Sequence, residues 1–359
     1  MKGASNQHDF LILGVMSGTS VDGLDLALTR FVKENGIWQF SIIKAETLDY
    51  SETWVDLLKQ AIHAEPQVVN TLDDEFGDLI GTLIADFLTD QPKPHFIASH
   101  GHTVFHQPGE GITRQIGNGD RIHQKTGIPV IYDFRSLDVS LGGQGAPLVP
   151  IGDRDLFADY TACINLGGIA NISYQEGGYR KAFDICPMNM ALDPLAAQLG
   201  QPYDDKGQLA ASGQVIPPLA DQLNKIAYYH QRPPKSLGLE DYLSDWAPLF
   251  KLPDSTIQDV MHTYVVHAAQ QISQAIPKSN TGTDKVLLTG GGAFNDFFVS
   301  CLRQASNTTI VIPSESIIAY KEAVVFAYLG LLRYLEQPNC LASVTGASQD
   351  NMGGRMSGF

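Results

Sequence analysis

Apolar residues near the N-terminus occur in short runs that polar turns separate. Phe10 to Met16 is an apolar run, Ser17 to Gly23 is small and polar, and Leu24 to Phe31 partly alternates apolar and polar residues. This order predicts a β-hairpin with a small, polar tip. The same patterns predict further strands at Trp38–Tyr50, His95–His100 and Ile128–Tyr132, and a helix at Thr71–Thr89.

A second hairpin of the same kind is predicted at Thr161 to Tyr174, with its turn at Asn165 to Gly168. Because the strand, glycine turn and return strand occur twice, the sequence indicates a duplicated architecture. Later segments predict a helix over Thr256–Ile276, a strand over Lys285–Thr289 and a glycine turn after that strand. Strands and helices that alternate in this way predict an α/β fold.

Length and composition favour two folded domains. The 359 residues exceed the roughly 150 that are typical of one domain, and 43% of them are hydrophobic. Asp138 to Pro150 is rich in Gly and Pro, which suits a crossing between domains. We expect the main boundary near residue 132, with 1–131 plus 340–359 as the N-terminal domain and 132–339 as the C-terminal domain.

The net charge and the spacing of the cysteines exclude some classes of ligand and indicate the cellular location. The net charge of −15 repels polyanions, so nucleic-acid binding is not expected, although backbone N–H groups and Mg²⁺ can still hold a small phosphorylated ligand. The four cysteines are far apart and form no CxxC, which indicates a reducing, cytoplasmic location. No apolar stretch approaches the ~20 residues that cross a bilayer, so no membrane contact is expected.

Three glycine turns are the candidates for nucleotide binding. The chain lacks the motifs of P-loop NTPases, dinucleotide enzymes, α/β-hydrolases and zincins. The two hairpin tips can clamp phosphates from both sides, Asp22 can hold Mg²⁺ directly or through water, and Thr289 to Gly292 would pack against the nucleoside. Each turn alone is more simply explained by hairpin geometry, but their combined order is more specific.

Asp184 and a histidine cluster are the other candidates. Asp184 lies between apolar neighbours near a predicted strand end, where desolvation would raise its pKa and suit a general base. The alternative is a helix cap. His100, His102 and His106 have no acidic or Cys partner at ligand spacing, so we expect structural or substrate-contacting roles rather than a metal site.

Seven motifs occur in an order that resembles one kinase family. They are Gly14–Asp25, Ser99–Thr103, Gln115–Gly119, Asp133–Arg135, Gly142–Pro150, Asn165–Asn171 and Thr289–Gly292. Together they resemble the anhydro-N-acetylmuramic acid kinases from about residue 11 to the end. The resemblance implies two ribonuclease-H-like domains of the actin-like ATPase and sugar kinase architecture around a nucleotide cleft. It also implies that ATP phosphorylates 1,6-anhydro-N-acetylmuramic acid with hydrolytic opening of the anhydro ring, giving N-acetylmuramic acid 6-phosphate and ADP in cell-wall recycling.

The resemblance implies roles for individual residues and a cytoplasmic homodimer. Asp184 would activate water, and Asp22 would hold Mg²⁺. His102, Arg135 and Glu322 would contact the sugar, although a Glu at that place equally suits a first helical turn. The ATP-binding residues implied, besides Asp22, are Gly18, Thr19, Ser20, Val21, Gly23, Leu24, Asp25, Asn165, Gly167, Gly168, Gly290, Gly291 and Gly292.

One segment departs from the family pattern, and two other functions stay open. Ile185, Cys186 and Met188 stand where the family pattern has small residues, and the bulkier Met188 predicts a different shape for the local loop. The alternatives are a kinase of another sugar, whose base would deprotonate a substrate hydroxyl, and a nucleotide-dependent binding or regulatory module. The dependence of ATP turnover on added anhydro-sugar distinguishes these functions.

Overall fold

The computed structural model describes residues 9–18, 21–277 and 284–359, and its contacts divide the chain into two units. The first unit contains the described chain up to Leu156 together with Tyr320–Phe359, and the second contains Phe157–Ala319. The boundaries predicted near residues 132 and 340 therefore fall inside the first unit. The difference arises because Ile151 and the segment Ala323–Leu332 contribute to the hydrophobic core of the first unit.

The strands confirm the two predicted hairpins and the strand at Lys285–Thr289. In chain order they are β1 Asp9–Ser17, β2 Gly23–Glu34, β3 Ile37–Asp49, β4 Phe96–Gln107, β5 Ile112–Ile116, β6 Val130–Tyr132, β7 Ala162–Leu166, β8 Ile169–Glu176, β9 Tyr179–Pro187, β10 Lys285–Thr289, β11 Thr309–Val311 and β12 Arg355–Ser357. The strand predicted at His95–His100 is longer than expected, because β4 continues to Gln107 and pairs with β5.

The helices include the two that hydrophobic periodicity predicts, α2 and α10. In chain order they are α1 Glu52–Gln60, α2 Pro66–Phe87, α3 Gly119–Thr126, α4 Ser136–Ser140, α5 Pro150–Leu156, α6 Asn189–Ala197, α7 Gln208–Ala211, α8 Pro217–Leu223, α9 Leu239–Asp241, α10 Ile257–Ala275, α11 Asp296–Ala305, α12 Glu315–Tyr334 and α13 Ala342–Thr345. At the start of α10 the Thr256 side chain accepts a hydrogen bond from the Asp259 N–H, which explains where that helix begins. Within the described residues, no helix has both the length and the apolar character needed to cross a membrane.

The sheet of the first unit has the order β12-β6-β4-β1-β2-β3, and β5 extends it by pairing with β4. β1 is antiparallel to β2 and parallel to β4, and β4 is parallel to β6. Separate hydrophobic clusters cover β1, because Ile12 belongs to one cluster and Leu13 to another. Helices therefore cover both faces of this sheet, which explains why β1 is a nearly continuous apolar run.

The sheet of the second unit has the order β11-β10-β7-β8-β9. β7, β8 and β9 form an antiparallel meander, and β10 and β11 join it in parallel. Without β5 and β12, the sheet of the first unit has the same order and directions. The predicted α/β fold with two ribonuclease-H-like domains is confirmed by this repeated topology.

Candidate active site

The tip of the first hairpin lies between β1 and β2. The Val21 N–H donates to the Gly18 carbonyl oxygen at 3.2 Å, and Val21 has a left-handed backbone with φ of 58°. The Val21 side chain is buried, whereas Asp22 is exposed. Thr19 and Ser20, two of the predicted ATP-binding residues, lie outside the described residues. Val21 can therefore contact a ligand only through its backbone.

Gly23, Leu24 and Asp25 belong to β2 rather than to a loop. A Cβ at Gly23 would sit 2.8 Å from the Leu48 carbonyl oxygen, and Leu24 is fully buried. The Thr47 hydroxyl donates to Asp25 at 2.6 Å. Desolvation raises the pKa of Asp25, the Thr47 hydrogen bond opposes that rise, and the charge of Asp22 adds to it. Two neighbouring carboxylates that repel each other fit the requirements of a divalent cation.

His102 is a buried residue next to this turn. Tyr50 donates its hydroxyl to Ser17 Oγ at 2.8 Å, and Ser17 Oγ lies 3.0 Å from His102 Nδ1. Burial lowers the pKa of His102, so the ring is neutral near pH 7. His102 supports the end of β1 through this chain of hydrogen bonds.

The other two histidines of the cluster also have structural partners. His100 Nδ1 lies 2.9 Å from the Gly101 carbonyl oxygen, and His106 Nδ1 lies 3.1 Å from Thr113 Oγ1. Over residues 9–18, 21–277 and 284–359, no group of three or more His, Cys, Asp or Glu side chains is placed to hold a metal ion. His100 and His106 therefore each have a hydrogen-bond partner in the first unit.

The second and third glycine turns lie side by side in the second unit. Asn165 pairs with Thr289 where β7 and β10 end together. A Cβ at Gly290 would sit 2.7 Å from Asn165 Oδ1, and one at Gly292 would sit 2.8 Å from Leu166 Cβ. Gly290 also has φ of 82°, a conformation that favours glycine. Packing between the two turns therefore requires glycine at Gly290 and Gly292.

Packing against protein atoms does not require glycine at Gly168 or at Gly291. A Cβ at Gly168 would meet no protein atom closer than 4.0 Å, and one at Gly291 would lie 3.7 Å from Asn189 Nδ2. Neither residue has a left-handed backbone. Gly167 is intermediate, since its Cβ would lie 3.4 Å from Asn165 Nδ2. The open space beside these turns is the kind that lets a ligand approach the backbone closely.

Asp184 lies on β9 next to a bulge that leaves Ile185 without a partner on β8. Its carboxylate accepts a hydrogen bond from the Leu237 N–H at 2.9 Å. Desolvation raises the pKa of Asp184, and the Leu237 hydrogen bond opposes that rise. The helix-cap alternative is wrong, because Met188 is the N-cap residue of α6 and no side chain caps that helix.

The segment between α6 and α10 completes the surroundings of Asp184, and sequence reasoning missed it. Lys235 accepts the Asp184 N–H through its carbonyl oxygen at 3.1 Å, and Tyr228 donates its hydroxyl to the Asp184 carbonyl oxygen at 2.7 Å. The Lys235 ammonium group lies 4.3 Å from the centroid of the Tyr228 ring. No sequence motif marks this segment, because Lys235 and Leu237 both contact Asp184 through backbone atoms.

The residues that depart from the family pattern point into the hydrophobic core. Ile185 is 3% exposed, and Cys186 and Met188 are fully buried. All three belong to the core cluster of the second unit. Their extra bulk is therefore taken up by the core. Their backbone still shapes the turn, since the Met188 N–H donates to the Gly168 carbonyl oxygen at 2.7 Å.

Arg135 and Glu322 lie close enough in the first unit for the charge of each to affect the pKa of the other. Arg135 donates to His100 Nε2 at 3.0 Å and to the Gly145 carbonyl oxygen at 2.6 Å. Desolvation lowers the pKa of Arg135 to about 10, and the charge of Glu322 opposes that change. Because His100 Nδ1 donates to a carbonyl oxygen, Nε2 is the acceptor for Arg135. The guanidinium group is thus held in one orientation.

Glu322 lies in the interior of α12 and is solvent-accessible. The protein around it removes part of its hydration and raises the pKa of its carboxyl group, while Arg135 and Lys321 oppose that rise. The alternative role in a first helical turn is wrong, because α12 begins at Glu315. A Cβ at Gly14 would sit 1.8 Å from the Ala323 carbonyl oxygen, so glycine on β1 lets α12 come close.

Comparison with known proteins decides the family. A family model described as anhydro-N-acetylmuramic acid kinase matches residues 10–357. The chain belongs to the anhydro-N-acetylmuramic acid kinase family. Curated proteins of that name from Burkholderia lata and Chromobacterium violaceum are 33% and 34% identical to it, over 98% and 94% of this chain and 97% and 96% of theirs.

Membership of the anhydro-N-acetylmuramic acid kinase family makes the chain a phosphotransferase that acts on a small-molecule sugar. A solved structure, the activator of the 2-hydroxyisocaproyl-CoA dehydratase from Clostridium difficile with bound ADPNP, is 12% identical with a TM-score of 0.42, over 91% of this chain and 97% of that chain. That likeness is too loose to support an argument. The fold assignment rests on the repeated strand order.

Proposed function

We propose that this kinase transfers the γ-phosphate of ATP to 1,6-anhydro-N-acetylmuramic acid and opens the anhydro ring with water. The products are N-acetylmuramic acid 6-phosphate and ADP, and the reaction serves the recycling of cell-wall sugar. The observation that carries the proposal is the environment of Asp184, a desolvated carboxylate oriented by the Leu237 N–H. A carboxylate with a raised pKa suits proton abstraction from water.

In the proposed reaction Asp184 takes one proton from a water molecule. The water oxygen forms a bond to the anomeric carbon, and the bond between that carbon and O6 breaks. O6 forms a bond to the γ-phosphorus, and the bond from that phosphorus to the ADP oxygen breaks. Asp184 then releases its proton to solvent, so one water is consumed and ADP leaves as the second product.

The glycine turns support the assignment of phosphate binding. Gly168 and Gly291 lie beside open space that the protein itself does not fill, so their backbones are accessible to phosphate oxygens. Asn165 lies between these turns at the end of β7. On this proposal Gly167 and Gly168 approach the phosphates, whereas Gly290 and Gly292 shape the neighbouring turn.

Asp22 and Asp25 would hold Mg²⁺ in the first unit. Their mutual repulsion contributes to the raised pKa of Asp25, and a divalent cation relieves such repulsion. When bound, Mg²⁺ neutralises charge on the transferring phosphoryl group. Arg135 and Glu322 would contact the sugar, and His102 would position Ser17 at the start of the first turn. A cytoplasmic homodimer is part of the same proposal, and a sedimentation measurement tests its dimeric state.

Mass spectrometry of the reaction in ¹⁸O-labelled water tests the proposed function. Purified protein is incubated with Mg–ATP and 1,6-anhydro-N-acetylmuramic acid, and both products are followed at early times. We expect a sugar 6-phosphate with one ¹⁸O at its anomeric hydroxyl, formed together with ADP. A phosphorylated product that keeps its anhydro ring would contradict the role of Asp184 as activator of water.

Two control reactions separate the alternative functions. Incubation with other hexoses and amino sugars tests a kinase of another sugar, which would phosphorylate one of them without incorporating ¹⁸O. Incubation with ATP alone tests a nucleotide-dependent binding module, which would hydrolyse ATP at the same rate with or without the anhydro-sugar.

A further inference from the structure

The strand β9, which carries Asp184, lies at the edge of its sheet. Among the described residues β8 is its neighbour on one side, and no strand pairs with its other side. Directly after Asp184 the strand bulges, because Ile185 has no partner on β8. A bulge redirects the side chains beside it and interrupts the ladder of backbone hydrogen bonds. Contacts from outside the sheet are therefore needed to fix the backbone of this segment.

The segment between α8 and α9 covers the outer edge of β9 at Asp184. The Asp184 N–H donates to the Lys235 carbonyl oxygen at 3.1 Å, and the Asp184 carbonyl oxygen accepts the Tyr228 hydroxyl at 2.7 Å. The Leu237 N–H donates to the Asp184 carboxylate at 2.9 Å. The backbone N–H, the carbonyl oxygen and the carboxylate of Asp184 thus all contact residues 228–237. At the carbonyl oxygen, a tyrosine hydroxyl replaces the N–H of a neighbouring strand.

Contacts of its own hold Tyr228 in one position. Tyr228 is 6% exposed, and its ring meets the Trp246 ring edge-on at 6.0 Å between centroids. The Lys235 ammonium group donates to the Tyr228 carbonyl oxygen at 3.0 Å and also lies over the Tyr228 ring. A cation over an aromatic face adds attraction to that hydrogen bond. The Tyr228 hydroxyl therefore reaches β9 from a fixed direction.

Tyr264 on α10 holds the other side of the bulge. Its side chain is fully buried, and its hydroxyl donates to the Pro187 carbonyl oxygen. The Phe250 ring packs edge-on against the Tyr264 ring at 5.1 Å between centroids. Pro187 ends β9, and the N–H of the next residue, Met188, donates to the Gly168 carbonyl oxygen in the second glycine turn. Tyr264 thus fixes the end of β9 that joins this turn.

Loss of either hydroxyl would leave a carbonyl oxygen of β9 without its donor. An acceptor that loses its partner inside a protein is costly, so the backbone would shift toward another donor or toward water. Because Asp184 begins the bulge, such a shift would displace its carboxylate. Displacement of a catalytic group by roughly 1 Å lowers the rate by about 100-fold.

We propose that Tyr228 and Tyr264 are positioning residues, which hold the bulge of β9 so that the Asp184 carboxylate faces the water that it activates. This inference rests on the proposed function. Each hydroxyl donates to a backbone carbonyl oxygen rather than to the carboxylate, so both act on the reaction through Asp184. Their effect on the rate should therefore disappear once residue 184 no longer accepts a proton.

A double-mutant cycle tests this role. Steady-state kcat and the KM values for sugar and ATP are measured for full-length Tyr228→Phe and Tyr264→Phe, each alone and combined with Asp184→Asn. We expect kcat to fall about ten- to 100-fold in Tyr228→Phe and about three- to ten-fold in Tyr264→Phe, with both KM values within about two-fold of the parent values. In the Asp184→Asn background neither substitution should lower the residual rate further.

Tyr242→Phe is the matched control. It removes the hydroxyl of another buried tyrosine of the second unit, whose ring packs near Phe250, and it should keep the parent kcat. Thermal unfolding verifies that each variant is folded, and Tyr228→Phe decides the question if Tyr264→Phe does not fold.

Two results would overturn the positioning role and leave the proposed function intact. They are a parent-like kcat in both tyrosine variants, and equal losses of rate with Asp184 and with Asn at residue 184. The proposed function is tested separately, by the uptake of ¹⁸O from water into the product of the parent protein. Absence of that uptake would overturn the proposed function and this inference with it.

Discussion

The first unit surrounds its buried ionisable groups with partners, whereas the second unit leaves two of them with few or none. In the first unit Lys321 lies 2.7 Å from Asp153, with both side chains almost fully buried. Asp138 accepts hydrogen bonds from Gly145, Thr345 and Asn351. These contacts offset the cost of burying charge.

In the second unit the described residues provide less compensation. Asp184 accepts the Leu237 N–H, and its pKa is raised because desolvation outweighs that bond. His267 is 2% exposed, and neither ring nitrogen has a hydrogen-bond partner among the described residues. The difference indicates that a buried ionisable group with several polar partners supports the fold. A buried ionisable group with few or no partners either is available for proton transfer or lowers the stability of the fold.

The largest expected effect concerns Asp184. Asp184→Asn should lower sugar turnover by about 10²- to 10⁴-fold, because it removes the base while the amide oxygen can still accept the Leu237 N–H. Nucleotide affinity and thermal stability should change little. Steady-state kinetics and nucleotide titration measure these quantities.

The control for this prediction is Asp193→Asn, which changes a neighbouring carboxylate whose pKa desolvation also raises. It should keep most of the activity. In the parent protein, activity should fall on acidification through the raised pKa of Asp184, because only the ionised carboxylate accepts a proton. Near-normal turnover by Asp184→Asn would show that the desolvated carboxylate of the second unit has no role in catalysis.

The next largest effect concerns the buried ion pair of the first unit. Lys321→Met should destabilise the fold by about 3–5 kcal/mol, because it leaves Asp153 charged and buried without its partner. Urea unfolding measures this change. The exposed pair Arg30 and Asp9 is the control, and Arg30→Ala should change the stability far less than Lys321→Met does, because solvent screens this pair.

The double variant Asp153→Leu with Lys321→Met sharpens this prediction. It removes both charges, so it should recover most of the stability that Lys321→Met loses. If the double variant is no more stable than the single one, loss of packing rather than loss of charge compensation explains the effect.

His267 predicts a pH dependence of stability. Desolvation lowers its pKa in the folded protein to about 4, from an unfolded value of 6.5. Between these values the unfolded chain binds the proton and the folded protein does not, so the stability should fall as pH decreases from 6.5 to 4. The total loss is about 3 kcal/mol, measured by urea unfolding across this range.

His267→Phe should flatten this part of the pH profile, because the aromatic neighbours Tyr229 and Tyr264 can accept another ring. His230→Asn, which changes an exposed histidine of the same unit, should keep the slope of the parent protein. An unchanged slope in His267→Phe would assign the acid sensitivity to other groups.

The smallest expected effect compares glycines within the second unit. Gly290→Ala should destabilise the fold by about 1–3 kcal/mol, because its Cβ would sit 2.7 Å from Leu166 and its φ is 82°. Gly291→Ala should leave the melting temperature unchanged and raise KM for ATP. Loss of stability without a change in KM for ATP in Gly291→Ala would contradict its proposed contact with nucleotide.

Local sequence patterns predicted the elements that have a clear period or a glycine turn. Both hairpins, α2, α10 and β10 lie within a few residues of their predicted bounds, because each depends on its own run of apolar residues. The continuation of β4 beyond His100 was missed, since its polar residues are paired by β5 rather than buried. The domain boundary differs because α12 returns to the first unit.

The same sequence reasoning predicted only part of the candidate site. Asp184 and the glycine turns stood out by residue type, and the family resemblance supplied roles that remain proposals. The Leu237 N–H that orients Asp184 comes from 53 residues further along the chain. The hydrogen bonds from Tyr228 and Tyr264 to β9 have no signature in the sequence either, because they join segments that meet only in the folded chain.

The sequence by itself determined the strands and helices that have a clear hydrophobic period or a glycine turn, and it carried enough ordered motifs to identify the kinase family. Those properties follow from local periodicity, turn chemistry and residue identity. The tertiary structure decided which glycines face open space, which carboxylate is desolvated and which polar atoms lack a partner. These properties depend on atoms that distant parts of the chain bring together, and burial and hydrogen bonding are set only when those parts pack.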